Sequence, residues 1–143
     1  MGKILNSAEE KILVDAIALA EKNTSGEIRV HIEKACQGDV LERAKEVFEK
    51  LGMTATEASN GVLIYIAEEA KKFAIIGDAG IHEKVGNDFW DASKNLLLNH
   101  FKKGEFVIGI KAAVLSCGDA LKMHFPFQQN DSNELSNEIS YDN

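Results

Sequence analysis

Apolar positions along the chain alternate between helical and strand spacing, and capping and turn residues separate the runs. Leu13, Ala16, Ile17 and Ala20 share a helical face behind Ser7-Ala8-Glu9-Glu10, whose S-x-x-E spacing suits the free amides of a helix start. This predicts a helix over 7–23, stopped at Asn23-Thr24-Ser25-Gly26, residues that bond locally or accept positive φ. In Glu27-Ile28-Arg29-Val30-His31-Ile32-Glu33 every second residue is apolar, the period of a strand with one apolar and one polar face. After the Gln37-Gly38 turn, Asp39 and Glu42 repeat the capping spacing, and Leu41, Ala44, Val47, Phe48 and Leu51 mark a helix that ends at Gly52. Thr54-Ala55-Thr56-Glu57 suits one further helical turn, and Asn60-Gly61 is a turn dipeptide. Val62-Leu63-Ile64-Tyr65-Ile66-Ala67 does not alternate, which predicts a central strand covered on both faces.

The polar link 68–72 is too short for a crossover helix, so Phe73-Ala74-Ile75-Ile76 is expected to return antiparallel as a hairpin. Beyond Gly77-Asp78-Ala79-Gly80, apolar spacing predicts helices over 83–102 and 105–123, the second stopped by the only proline, Pro126. The order α-β-α-β-β-α-α implies an α/β/α sandwich: a small mixed central sheet of about four strands with helices on both faces. Residues 1–125 read as a single domain, and 126–143 as a polar, acidic, mobile tail.

Composition bounds the function. The chain has 143 residues, 45% hydrophobic and 27% charged, which is the profile of a folded domain with its own core. There is no apolar run of bilayer length and no secretory signal, so the reading is a cytoplasmic protein without membrane insertion. Cys36 and Cys117 have no paired spacing and read as reduced thiols. A net charge of −7 argues against nucleic acid as partner, although Asp131, Glu134, Glu138 and Asp142 place part of that excess in the tail.

No Walker A run, GxGxxG, HExxH or GxSxG occurs, and Cys36 and Arg43 miss the tyrosine-phosphatase spacing by one residue. The four histidines share no ligand spacing, and His31 reads as a strand surface residue. Trp90, Phe89 and Phe101 read as core, and Glu27 as a solvated carboxylate at a strand start.

The chemistry concentrates where carboxylates meet glycine loops, because ligands of open α/β sheets bind beyond the carboxyl ends of strands. If the first strand and the 73–76 strand point the same way, their loops share one rim. Hard divalent cations want several carboxylate and carbonyl oxygens, and such loops supply both. Asp39, Asp78, Glu83 and Asp88 are the candidate ligands, with Glu33 and Asp91 behind them. Helix capping also explains Asp39, and a helix's first turns explain Glu83 and Asp88. Asp78 has the weakest purely structural explanation.

Thr24 to Glu33, Ala44…Phe48-x-x-Leu51-Gly52, Asn60 to Ala67, Gly77 to Ile81, Lys84-Val85…Trp90 and Phe101-Lys102-Lys103-Gly104-Glu105-Phe106…Gly109-Ile110 together resemble the TPM domain over about residues 7–125. That family is named for a thylakoid acid phosphatase, a photosystem II repair protein and a modulator of acetylcholine receptors. The resemblance implies an α/β/α sandwich, an acidic rim for calcium or a similar ion, and in the thylakoid branch a phosphatase activity on small phosphoesters. By position it puts Asp78 in the glycine-rich loop after the hairpin, Asp88 on the helix that follows, and Asp39 in the loop after the first strand.

The first expectation is a stand-alone TPM-like domain binding one or two Ca²⁺ or Mg²⁺ ions in acidic loops, as a metal-responsive regulatory module read by an unidentified protein partner. Ca²⁺ is preferred. The alternatives are a metal-dependent acid phosphatase, with no catalytic residue assigned, and a metal-independent protein-interaction module.

Overall fold

The computed structural model describes residues 5–22, 24–55, 60–81, 87–126 and 137–142. In chain order these form α1 (Ser7–Glu21), β1 (Glu27–Glu33), α2 (Val40–Lys50), β2 (Gly61–Ala67), β3 (Lys72–Gly77), α3 (Asp91–Lys102), α4 (Phe106–His124) and β4 (Ser140–Asp142). Short 3₁₀ turns occupy Met53–Ala55 and Asn87–Trp90.

The cap of α1 lies one residue earlier than the S-x-x-E spacing suggests. Asn6 accepts from the Glu9 amide at 2.8 Å, and Glu9 accepts from the Asn6 amide at 2.9 Å. This register buries Leu5 in the core and leaves Glu10 to lie against Tyr141 of β4. Asp39 caps α2 as expected, accepting from the Glu42 amide at 3.1 Å. The part of the expected 83–102 helix that precedes 87 lies outside the described residues; from there the chain makes the 3₁₀ turn and then α3.

The sheet order is β3-β2-β1-β4. β1 and β2 are parallel with Glu27 opposite Gly61, and β2 and β3 form the expected antiparallel hairpin with Val62 opposite Gly77. Lys71 closes that hairpin at φ 54, a left-handed conformation rare for a side-chain-bearing residue. Within the span read as a mobile tail, Ser140–Asp142 form β4. Ser140, Tyr141 and Asp142 pair in parallel with His31, Ile32 and Glu33. Three polar residues carry no strand period, so only the open edge of β1 gives them a ladder.

Two apolar layers enclose the sheet. Ile28, Val30, Ile32, Val62, Ile64, Ile66 and Ile75 face α1, α3 and α4. Leu63, Tyr65, Ala67 and Ala74 face α2. β2 is buried along its whole length, which accounts for its unbroken apolar run. Glu27, His31 and Glu33 on the polar face of β1 are also buried; His31 is therefore interior and not a strand surface residue. No described helix is long and apolar enough to cross a membrane.

α1 and α4 pack closely enough at one point to exclude a side chain. A Cβ on Gly118 would lie 2.7 Å from the Ala20 Cβ and 2.9 Å from its carbonyl oxygen. Gly118→Val is expected to lower stability by about 2–3 kcal/mol through overpacking, more than the residue gains in helix propensity. Urea unfolding checks this, and an unchanged midpoint would show that the helices separate freely.

Candidate functional site

Because β1 is parallel to β2 and β3 is antiparallel to it, β1 and β3 run in opposite directions. Their following loops therefore lie at opposite ends of the sheet, about 20 Å apart over seven residues. The expected shared rim does not form. Asp39 stands at the end where β1 finishes, near Lys72, whose ammonium donates to the Gly38 carbonyl at 3.3 Å. Asp78 stands where β1 begins, its amide donating to the Gly61 carbonyl at 2.9 Å. The hairpin causes the separation, since it reverses the chain within the sheet.

At the first end Glu33 is 3% exposed and fully engaged. Arg43 of α2 donates from Nε to both carboxylate oxygens at 3.1 Å and also from Nη2, Tyr65 of β2 donates its hydroxyl, and His31 bonds through Nε2 at 3.1 Å. The carboxylate only accepts, so His31 carries its proton on Nε2, and its Nδ1 meets the Ser140 hydroxyl at 2.8 Å. Burial alone would raise the Glu33 carboxyl, but bonds from Arg43, Tyr65 and His31 and the Arg43 charge outweigh it, holding the group below its ordinary value. Burial, then the Glu33 and Cys36 contacts, push the Tyr65 phenol up, so it remains a donor.

Ser140, His31 and Glu33 stand in the order of a nucleophile relay. Here, however, His31 is buried and Ser140 is its register partner, with the hydroxyl also 3.3 Å from the Val30 carbonyl. The line joins strands. Glu33, a second-rank candidate ligand in the sequence, is here an ion-paired anchor that accepts from Arg43, Tyr65 and His31.

At the other end Asp78 follows β3 and leads into a helical turn over 79–81. Oδ1 accepts from the Ala79 amide at 2.8 Å, and Oδ2 is buried with no hydrogen-bond partner among the described residues. Glu83 lies outside the described residues, and the side chain of Asp88 is likewise outside them. Asp91 sits in the exposed first turn of α3. Among the described residues, no three His, Cys, Asp or Glu side chains converge as a metal cage.

Two further acidic groups stand at this end. Glu21, at the end of α1, accepts from the Ile28 amide at 2.7 Å, and burial pushes its carboxyl up to about 7 despite that bond, with the Glu27 charge adding to the rise. The sequence reading missed Glu21, because an acid at a helix end has no spacing signal; its only local cue is the Thr24-Ser25-Gly26 turn that folds β1 back beside it. Asn60 holds the same corner, donating to the Ser25 carbonyl at 3.0 Å while its own carbonyl accepts from the Glu27 amide.

Each end yields a pH-dependent expectation. Arg43→Ala at pH 7 should cost about 2–4 kcal/mol, because it strips a buried carboxylate of its cation. Since the folded Glu33 carboxyl is held down, that stability exists above its ordinary value and fades as pH falls below it. Glu21 has the opposite sign. Its folded carboxyl binds a proton more tightly than the unfolded one, so stability falls as pH rises from about 4.5 to about 7. Glu21→Gln should therefore stabilise by about 1–3 kcal/mol at pH 8 and by little near pH 4. Urea unfolding of both variants in EDTA across this range reads the outcome, and a gain for Glu21→Gln that does not change with pH would sink the assignment.

The sequence profile of the TPM domain matches residues 1–120. The fold is similar to the solution structure of BA42 from the psychrophilic bacterium Bizionia argentinensis, at 48% identity and TM-score 0.92, over 99% of this chain and 98% of that one. It is also similar, at 14% identity, to the N-terminal domain of cg2496 from Corynebacterium glutamicum, with TM-score 0.66 over 95% and 80% of the two chains. An N-terminal domain from P. gingivalis matches at 14% identity and TM-score 0.68, over 85% and 79%. These last two share the fold alone. No curated protein matches the chain. With the profile covering most of its length and a whole-chain relative nearly half identical, this chain belongs to the TPM domain family.

Proposed function

We propose that this TPM domain is a divalent-cation-binding module that takes Ca²⁺, or Mg²⁺ in its place, at the Asp78 loop. The observation that carries the reading is the Asp78 Oδ2 atom, buried without a donor. A buried carboxylate oxygen left unpaired is costly, and a hard cation relieves that cost directly. The Gly77-Asp78-Ala79-Gly80 loop offers carbonyl oxygens beside it, and Glu83 and Asp88 follow five and ten residues later in the sequence. Calcium's coordination of about six to eight oxygens is completed by such carbonyls and by water. Asp39 has no part in the site, since it caps α2 at the other end of the sheet. The ion acts by fixing the loop, and a partner reads the fixed surface.

Calcium titration of metal-stripped protein, followed by backbone amide NMR, tests this. Gly77 to Gly80 should shift together and saturate while Gly38 and Asp39 stay put, and Asp78→Asn should weaken binding on the order of tenfold by removing one anionic ligand. Absence of saturation by millimolar calcium, or shifts centred on Asp39, would overturn the reading. The phosphatase alternative is separated in the same samples, where metal-dependent turnover of p-nitrophenyl phosphate, lost in Asp78→Asn, would replace the binding module by an enzyme.

A further inference from the structure

Exposed apolar and basic side chains gather on one side of the molecule. Among the described residues six large apolar side chains are exposed, and five of them stand on the helices of one layer: Ile12 and Leu19 on α1, Leu98 on α3, and Ile108 and Met123 on α4. α4 packs along both of the others. It runs in the same direction as α1, with Gly118 against Ala20 and Leu121 against Gly26, so their C-terminal ends lie together. Along α4, Ile108, Lys111, partly buried Leu115 and Lys122 recur at intervals of three, four and seven, which puts them on one face. Lys11, Ile12, Leu19 and Lys22 share a face of α1 in the same way.

Charge follows the same division. The exposed charged residues of these three helices and of the turns that end α1 and α3 are six lysines, Lys11, Lys22, Lys102, Lys103, Lys111 and Lys122, against three aspartates, Asp15, Asp91 and Asp119. Lys11 and Asp15 pair at 3.0 Å and cancel. The layer is therefore net basic on a chain whose overall charge is −7. Acidic residues of α2, Glu42, Glu46 and Glu49, are exposed on the other side of the sheet. A sheet and a helix layer separate them from this face, farther than the roughly 10 Å over which salt leaves such charges felt.

We infer that the outer face of α1 and α4, with the end of α3, docks on an anionic lipid surface, its helices lying in the membrane plane and no segment crossing it. Ile12, Leu19, Ile108 and Leu115 enter the boundary between headgroups and acyl chains, while Lys22, Lys111 and Lys122 reach the headgroup phosphates. The spacing of the apolar side chains favours a bilayer. They rise from separate helices with lysines between them, and a bilayer takes up such side chains one by one, whereas a protein partner would have to match them in shape. A second copy of the chain would set lysines against lysines. The inference does not rest on cation binding at Asp78.

The probe is unilamellar vesicles, either of phosphatidylcholine alone or of phosphatidylcholine mixed with phosphatidylglycerol, co-sedimented with the full chain in EDTA. Binding to the anionic vesicles should be stronger by about tenfold or more. Lys111→Glu combined with Lys122→Glu should weaken it about tenfold, and Leu19→Ser combined with Ile108→Ser by on the order of fivefold. All four positions are exposed, so both variants keep the fold. In the unaltered protein, a spin-labelled lipid in bicelles should broaden the amides of Ile12, Leu19, Ile108 and Leu115 ahead of those of α2. Four results would overturn the inference: no preference for anionic vesicles at millimolar lipid, broadening centred on α2, full binding by the serine variant, which would mark a face open to any polyanion such as an acidic protein, or sedimentation without lipid, which would report a second copy of the chain.

Discussion

A carboxylate in the interior must be matched by donors or the fold loses several kcal/mol, and Glu33 imposes that demand on everything around it. Its partners come from α2 through Arg43, from β2 through Tyr65 and from β1 itself through His31. His31 extends the line to Ser140 of β4. One buried charge thus fixes the seat of a helix, the pairing of two parallel strands and the docking of the last strand. Apolar packing holds the opposite face of the sheet, where α1, α3 and α4 meet six isoleucines and valines of β1 and β2. Both layers are close-packed and apolar, and the α2 side adds a directional, electrostatic anchor at Glu33.

The hairpin between β2 and β3 is the second constraint. By reversing the chain within the sheet it places the Asp78 loop beside the start of β1 and leaves the Asp39 loop at the far end. The acidic groups thereby separate by environment. Asp39 is spent on a helix cap and Glu33 on an ion pair. At the other end Asp78 has an unmatched buried oxygen, and Glu21 lies beside Glu27 with its carboxyl raised by burial. Carboxylates whose charge is left uncompensated are where a cation gains most, which is why the proposed site moves wholly to that end.

The sheet's edges complete the architecture. At one edge β4 satisfies the outer backbone of β1 over His31 to Glu33. At the other, no described strand pairs with the outer edge of β3, which ends in the groove beside α2.

The sequence by itself determined what is local. Period-two spacing placed β1, an unbroken apolar run β2, a short polar link the returning β3 and helical spacing α2 and α4, the D-x-x-E signal found the Asp39 cap, and the ordered glycine and turn motifs carried the family. Asp78 was legible as a carboxylate that turn formation alone explains poorly. The antiparallel hairpin was legible from its short link, but the direction of β1 relative to it was not, because the alternation in 27–33 and the apolar run in 62–67 read the same for parallel and antiparallel neighbours. Nor was the burial of His31 and Glu33, since a polar face looks identical whether water or protein covers it. β4 is too short to carry a period, and Glu21 becomes unusual only when the turn at Gly26 lays the start of β1 against it. Periods and caps are set by neighbours in the chain, whereas direction, burial and pairing are set by residues far away in sequence, and those only the tertiary structure brings together.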